Sequence, residues 1–551
     1  MSSDTPIDLD NYCPTNPLVR ALLTDCYQLT MAYAQWYHGR HNTPTVFEDF
    51  FRTCPFNGEF ALFAGLDEVL GLLNTFSFSE SDIAYIREAI LPHAEEGFFD
   101  WLRSVDASEV KVWAMRQGSA AFPRVPFLIV EGPIAICHLL ETPLLNLTNY
   151  ASLATTNARR MVNAAGVGKI LMEFGLRRAQ GPDGALTGSK CAIMGGFSST
   201  STVLAGKLFD IKVLGTHAHA WVTSFKGLED IKRRMLLNKV TGQEEDFVSR
   251  VLFWHSKVPH TETAHVGELA SFIAYALAHR DRTLCLVDTY DTLLSGVPNF
   301  LAVALALEDF GYRAVGIRLD SGDLAELSKA ARKQFETAYT LYEDICDVEY
   351  YNLDYKIAAS NDIHEDVIYA LREQEHEIDI LGIGTHYITC KAQPAFGGVY
   401  KVVMVDGEAV IKLSEQMVKV TIPSAKRGYR LVGADGQFLA DVLVMRDENP
   451  PVAGVPFLVR DPIHETIRIN ILPSEVIALH ELVWDGQLVR EAVERVSIKA
   501  TRAYVDEQMR RLPERHQRRL NPAPYRVGVS DAVFREMHKL WLASAPIETV
   551  S

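Results

Sequence analysis

The chain has 551 residues, a formal net charge of −16, and 48% hydrophobic and 23% charged residues. That length accommodates two or three domains with full cores, and the balance excludes a disordered or fibrous class. The acidic excess argues against nucleic acid as a main partner, because backbone affinity needs basic surface; small anions are left to whatever basic groups the fold gathers locally.

The N-terminal stretch MSSDTPIDLDNYCPTNP has no basic n-region and no apolar h-region, and reads as an extended arm to about residue 20. No run of about eighteen apolar residues is evident, so no membrane partner is expected. The cysteines at 13, 26, 54, 137, 191, 285, 346 and 390 are scattered without a CxxC pair, which predicts reduced thiols and a cytoplasmic location.

From Leu22, LLTDCYQLTMAYAQWYHGR offers Thr24 or Asp25 as N-cap and Gly39 as the stop of a helix. TVFEDFFRTCPF alternates like a strand, residues 58–102 read as mostly helical, and residues 109–137 as β-rich. PLLNLTNYASLATTNARRMVNAAG predicts a long helix. The organisation expected is an α/β domain over 1–150 completed by about 396–472, a barrel domain over 151–395, and a helical region over 473–551.

Between about residues 190 and 395 one pattern recurs: an apolar run, a polar tip, a turn and a helix. YRAVGIRLDSGDL ends its run in Arg318 and Asp320, and Asp323 caps the helix that follows. TLCLVDTYDTL ends at Asp288, YKIAASNDI at Ser360 and Asn361, and IDILGIGTHYIT at Gly382, Gly384 and Thr385. KCAIMGGFSSTSTVLAGKLF reads as a strand, a glycine pair and a hydroxyl-rich helix start. Repeated βα units predict an α/β class, either a parallel barrel or a doubly wound sheet, with ligands at the strand C-termini.

Four groups are candidates for chemistry. Small residues before a helix suit a phosphate, as in Gly195, Gly196, Ser198 to Ser201, and in Gly382, Gly384 and Thr385; tight turns with N-capping account for them equally well. Asp288 and Asp320 at neighbouring strand tips can share Mg²⁺, or cap helices, or pair with Arg318. His217 and His219 share a face if extended, which allows zinc ligation, a structural histidine or, the favoured reading, a catalytic one. Glu173, Phe174, Arg177 and Arg178, read as a helical stretch, can stack on and pair with a planar carboxylate, or simply form a surface helix end.

The set LTDCYQLTMAY, FRTCPFNGEFALFAGL, EFGLRRAQGPDG, GGFSSTSTVLAG, GTHAHAWVTSF, VDTYDTL, GIRLDSGDL and GTHYITC with PAFGGVYK, together with LPERHQRRLNPAPYRVG, resembles the nicotinate phosphoribosyltransferase family in its larger form. The resemblance implies an irregular, TIM-like α/β barrel of the type II phosphoribosyltransferases plus a discontinuous α/β domain and a helical tail. It implies a cytoplasmic homodimer with the active site at the subunit interface, nicotinate, phosphoribosyl pyrophosphate (PRPP) and ATP as ligands, and Mg²⁺, or Mn²⁺ in its place. Tyr27, from the partner subunit, and Phe174 then sandwich the base; Arg318 pairs with the nicotinate carboxylate, and Ser201 lines the same pocket. Arg177, Asn361, Gly382, Gly384 and Thr385 hold phosphate and ribose, Asp288 and Asp320 stand near the metal, and His219 is phosphorylated by ATP. Thr202 stands where many relatives carry asparagine. Ser201 stands where the nicotinamide-using branch carries aspartate, and a neutral residue there favours nicotinate over nicotinamide. A nicotinamide-specific enzyme and an inactive barrel homologue acting as a scaffold are the competing readings.

Overall fold

The computed structural model describes residues 9, 11–347, 354–414, 416 and 419–545, so most of the first half of the expected N-terminal arm, at 1–8 and 10, lies outside the described residues. The chain forms two compact units: Met1–Asn157 with Lys190–Gly195 and Ala392–Ser551, and Ala158–Ser189 with Gly196–Lys391.

The first unit opens with the helix Cys26–Tyr37, where Asp25 and Gln28 form a reciprocal cap. The strand Pro44–Phe51 pairs antiparallel with Leu128–Pro133 on one side and Gly398–Val405 on the other. Segments about 350 residues apart in sequence thus share one sheet, which Lys111–Met115 and His480–Asp485 extend. Pro44–Phe51 is buried at every position after the first, as expected of a central strand covered on both faces. The helix predicted from residue 143 begins earlier, at Ile134, and runs to Ala165 through Pro143. Apolar text at 134–137 fits strand and helix alike, so periodicity over so short a run does not separate them.

A second six-stranded sheet comes entirely from the later part of the chain, with Lys426–Val432, Phe438–Met445 and Glu475–Ala478 among its members. Phe60, Leu62, Phe122, Val432, Phe438, Val505 and Met509 form a buried cluster. The region after 473 is therefore not purely helical. Beside the helices Ile498–Arg511 and Asp531–Ser544 it carries the strands Glu475–Ala478, His480–Asp485 and Val527–Val529. Buried ion pairs stand in this unit: Lys426 with Glu48 at 3.0 Å and Arg430 with Asp441 at 2.7 Å.

The second unit is built on six parallel strands: β1 (Ile170–Glu173), β2 (Ser199–Thr200), β3 (Leu284–Leu286), β4 (Gly316–Leu319), β5 (Lys356–Ala359) and β6 (Ile380–Ile383). Their order is β3-β4-β5-β6-β1-β2, so the last strand pairs with the first and the sheet curls back on itself. Beyond β2 a single parallel bridge joins Thr200 to Val213, and the His217 ring nitrogen Nε2 accepts the Leu286 N–H of β3 at 3.4 Å. A side chain thus stands where a regular barrel would have a ladder, which makes the closure irregular.

Helices cover the strands. Leu324–Cys346 buries Ala325, Ser328, Ala331, Phe335, Ala338 and Tyr342, a three-and-four spacing that lays one stripe on the sheet, and the Asp323 carboxylate caps it by accepting from Glu326 N at 3.1 Å. The stretch Thr292–Asp309 is, by length and composition, apolar enough to cross a membrane, which corrects the expectation that no such run exists; 78% of it is buried inside the protein, as befits a core helix.

Two segments differ from their predicted form. Lys190 to Gly195 is not a strand but the end of the helix Gly181–Gly195. EFGLRR is not helical: Glu173 ends β1, and Leu176–Arg178 is a single 3₁₀ turn. Both are short segments, too brief for a period to show, whose type is decided by their tertiary surroundings.

Candidate active site

The polar tips of β3, β4 and β5 meet through hydrogen bonds. Asp288, two residues past β3, has a side chain only 2% exposed. Its Oδ2 accepts the backbone N–H of Asp320 at 3.0 Å and the Ser321 hydroxyl at 2.6 Å. Asp320 in turn accepts from the hydroxyl of Ser360 at the tip of β5. Three successive strand ends are thereby locked to one another.

His219 joins them from the connection between β2 and β3. The pair His217 and His219 does not lie on a strand: His219 opens the short helix His219–Thr223, and His217 turns inward against Tyr275 at 4.8 Å. Burial, with Arg318 adding, lowers the His217 imidazole to about 4, so it is neutral and committed to the barrel wall. This removes the shared face on which the zinc reading rested. The His219 Nδ1 stands 3.1 Å from the Thr289 hydroxyl, and its Nε2 faces Asp288 Oδ1 at 3.9 Å and Asp320 Oδ2 at 3.8 Å, with the side chain 44% exposed. A partly open imidazole between two carboxylates is suited to accept a group and to hold it near a cation.

Arg318, on β4, donates from Nη1 to the Thr216 hydroxyl at 2.8 Å, while its buried Nε has no hydrogen-bond partner in the protein. Burial pulls the guanidinium below its usual range, Asp320 and Asp288 oppose this, and Arg177 adds to it. A half-satisfied guanidinium at a strand tip is ready for a bidentate anionic ligand. Arg177 is exposed on its 3₁₀ turn and acts on Arg318 through space.

Phe174 lies across β6. A Cβ on Gly382 would come 2.5 Å from its ring, and one on Gly384 would come 3.1 Å from its carbonyl oxygen, so the absence of a side chain at Gly382 lets the ring approach the strand. Gly384 precedes the single-turn helix Thr385–Ile388. Asn361 and Asp362, after β5, both have positive φ (91° and 47°), a conformation kept where surrounding structure imposes it. Ser201 donates its N–H to the Glu173 carbonyl at 2.9 Å, beside buried Thr202. Gly195 does not join this loop, since it ends a helix and belongs to the first unit.

Tyr27 also belongs to the first unit, on the first turn of Cys26–Tyr37 and 46% exposed. Its hydroxyl bonds Glu141, whose carboxyl is raised by burial against the opposing pull of Lys401. The Lys401 ammonium is lowered by burial, held up by Glu141, and pushed down further by Arg52 and Lys412. Sequence reasoning did not single out this cationic group, although Arg52 stands in FRTCPF and Lys401 in PAFGGVYK; nothing local in either motif says that the two come together.

The residues present fit a hard divalent cation. The Asp288 Oδ1 is buried without a hydrogen-bond partner in the protein, and Asp320 offers a second carboxylate beside it. One or two carboxylates with waters and substrate oxygens are the usual complement of Mg²⁺.

A curled parallel sheet whose strand tips gather two carboxylates, a guanidinium, an imidazole and an aromatic ring over glycines defines an α/β-barrel enzyme. Family models match the chain over its length: the nicotinate phosphoribosyltransferase N-terminal domain at 22–149, the family model at 170–430 and the C-terminal domain at 425–537. A nicotinate phosphoribosyltransferase of Arabidopsis thaliana is 46% identical over 97% of this chain and 96% of its own. The Homo sapiens enzyme is 42% identical over 96% of this chain and 98% of its own. A solved structure of human nicotinic acid phosphoribosyltransferase superposes with a TM-score of 0.83 at 40% identity, covering 94% of this chain and 99% of that one. The chain belongs to the nicotinate phosphoribosyltransferase family.

Proposed function

We propose that the protein joins nicotinate to the ribose C1 of PRPP, forming nicotinate mononucleotide and pyrophosphate in NAD salvage. The observation that carries this is the meeting of His219, Asp288 and Asp320 within 4 Å, beside Arg318, in a chain of this family. Phe174 offers a ring face to the base, and the unfilled side of Arg318 pairs with its carboxylate. Ser201, being neutral, does not repel that carboxylate. Arg177, Asn361, Gly382, Gly384 and Thr385 receive the phosphate and ribose.

The nicotinate ring nitrogen carries no proton, so its lone pair attacks C1 directly; the new N–C bond forms as the C1–O bond to pyrophosphate breaks. No general base is needed. Asp288 and Asp320 would hold Mg²⁺ (or Mn²⁺), which neutralises charge on the leaving pyrophosphate. His219 takes the γ-phosphoryl of ATP: an N–P bond forms, the phosphoanhydride P–O bond breaks and ADP leaves. The added charge at that position alters the affinities of the site; water then cleaves the N–P bond, releasing inorganic phosphate and restoring His219, so that ATP hydrolysis is completed and coupled to transfer.

Tyr27, exposed in a unit that also carries Arg52, Lys401 and Lys412, supports a homodimer in which one subunit's Tyr27 covers the base in the partner's barrel and these cations face the anionic end of PRPP. Eight cysteines without a disulfide fit a reducing cytoplasm.

The test is product formation from PRPP with nicotinate or nicotinamide, with Mg²⁺, with and without ATP. Nicotinate mononucleotide formation stimulated by ATP is the expected result. Comparable kcat/KM for nicotinamide would point to the nicotinamide-specific enzyme, and no product from either base would overturn the assignment.

A further inference from the structure

Glu173 is the last residue of β1 and is fully buried, with 0% exposure. Among the described residues its side chain meets no cation; every partner is a hydroxyl or a backbone amide. One carboxylate oxygen accepts the N–H of Gly175. The other accepts the hydroxyls of Ser189 at 3.0 Å and Thr200 at 2.5 Å, with that of Thr202 at 3.5 Å. Thr200 passes the connection on, since its Oγ1 also accepts the N–H of Thr202 at 2.9 Å. The backbone of Glu173 takes part as well, its carbonyl accepting the N–H of Ser201 at 2.9 Å.

A buried carboxylate with no counter-charge is costly unless its hydrogen bonds are complete. Replacing it with an apolar residue would leave several donors unsatisfied in a dry site. The segments it ties are the turn after Phe174, the loop Thr200–Thr202 and the helix carrying Ser189, two of which carry residues assigned to the nicotinate pocket. Close approach is built into the turn: a Cβ on Gly175 would fall 2.8 Å from Glu173 Oε1 and 2.5 Å from Ile388 Cβ.

We propose that Glu173 is a positioning residue for recognition of the base: its carboxylate fixes the Phe174 ring and the Ser201 wall relative to each other, and so sets the fit for nicotinate and its preference over nicotinamide. This rests on the placement of nicotinate between Phe174, Ser201 and Arg318. It also gives Thr202 a role, since here its hydroxyl completes the same set of donors to Glu173 that includes Ser189 and Thr200.

The test uses the full chain. Glu173→Gln keeps the shape and one acceptor but removes the charge that gathers three hydroxyls; Thr200→Val removes the central hydroxyl and leaves Glu173 intact. For both variants KM for nicotinate is expected to rise by about tenfold or more, with kcat and KM for PRPP changed less than threefold, and with the ratio of kcat/KM for nicotinate over nicotinamide reduced. A purely structural role predicts a lower Tm with unchanged KM for both substrates, or equal losses for nicotinate and PRPP, and either result overturns the inference. If Glu173→Gln does not fold, Thr200→Val is read by the same criteria. Wild-type protein that forms no nicotinate mononucleotide would remove the proposed function itself; active wild type with variants that show no split removes only the role of Glu173.

Discussion

At the scale of single residues, the site depends on groups left partly unsatisfied by the protein. Arg318 spends one nitrogen on Thr216 and holds a buried Nε without a partner, so Arg318→Ala removes a buried, half-satisfied guanidinium at that strand tip that is fitted to a carboxylate. The expected loss is ~2–5 kcal/mol in kcat/KM for nicotinate, measured by steady-state kinetics with either base, and with a smaller effect on nicotinamide. Unchanged kinetics would show that the carboxylate binds elsewhere. His219→Ala is expected to abolish ATP stimulation and acid-labile labelling by γ-labelled ATP while leaving some PRPP-driven transfer. Equal loss with and without ATP would place His219 in the transfer step instead. Removing divalent cations with EDTA should stop turnover and leave the circular dichroism spectrum unchanged, because Asp288 and Asp320 are held by the hydroxyls of Ser321 and Ser360 whether or not a cation is present.

At the scale of elements, strand spacing fixes the site more than any side chain does. Gly382 on β6 lies under the Phe174 ring, and a methyl group there would stand 2.5 Å from it. Gly382→Ala should therefore lift the ring and raise KM for nicotinate, at a stability cost of about 1–3 kcal/mol read from urea denaturation. An alanine variant with wild-type KM would mean that Phe174 does not set the pocket depth. Much of this level was legible in advance. Asp323 as a cap, the helix from Leu324, and the polar tips at Asp288, Asp320 and Ser360 follow from local patterns of 2.0 and 3.6 residues with turn chemistry between them. What local pattern misread were segments such as EFGLRR and KCAIMG, too short for either period to show, and the HAH segment, where His219 begins a helix and His217 closes the barrel.

At the scale of the whole molecule, the first unit places its own constraint on conditions of stability. Asp49 is fully buried with, among the described residues, only the Thr148 hydroxyl to help it, at 3.2 Å, and burial raises its carboxyl to about 7. In the unfolded chain it ionises near 4, so between about pH 4 and pH 7 the folded state binds more protons than the unfolded one. Its contribution to stability is present below that window and is lost as pH rises through about 7. Asp49→Asn should flatten this dependence, by an amount on the order of 4 kcal/mol across the window, in denaturation midpoints measured from pH 4 to 8. If the two proteins lose stability in parallel, Asp49 is not the group responsible.

The sequence by itself determined the repeated βα units, the strand-tip residues and the family, because these rest on short-range periodicity and on motifs that stand in order along the chain. Tertiary structure alone decided which tips touch: that Asp288 holds Asp320 and Ser321, that His219 faces both acids, that Glu173 gathers three hydroxyls, and that the strand at 44–51 pairs with the one at 398–405. Each of these joins residues far apart in the chain. Such pairings are set by the curl of the sheet and by burial on both faces, quantities that no local stretch of residues contains.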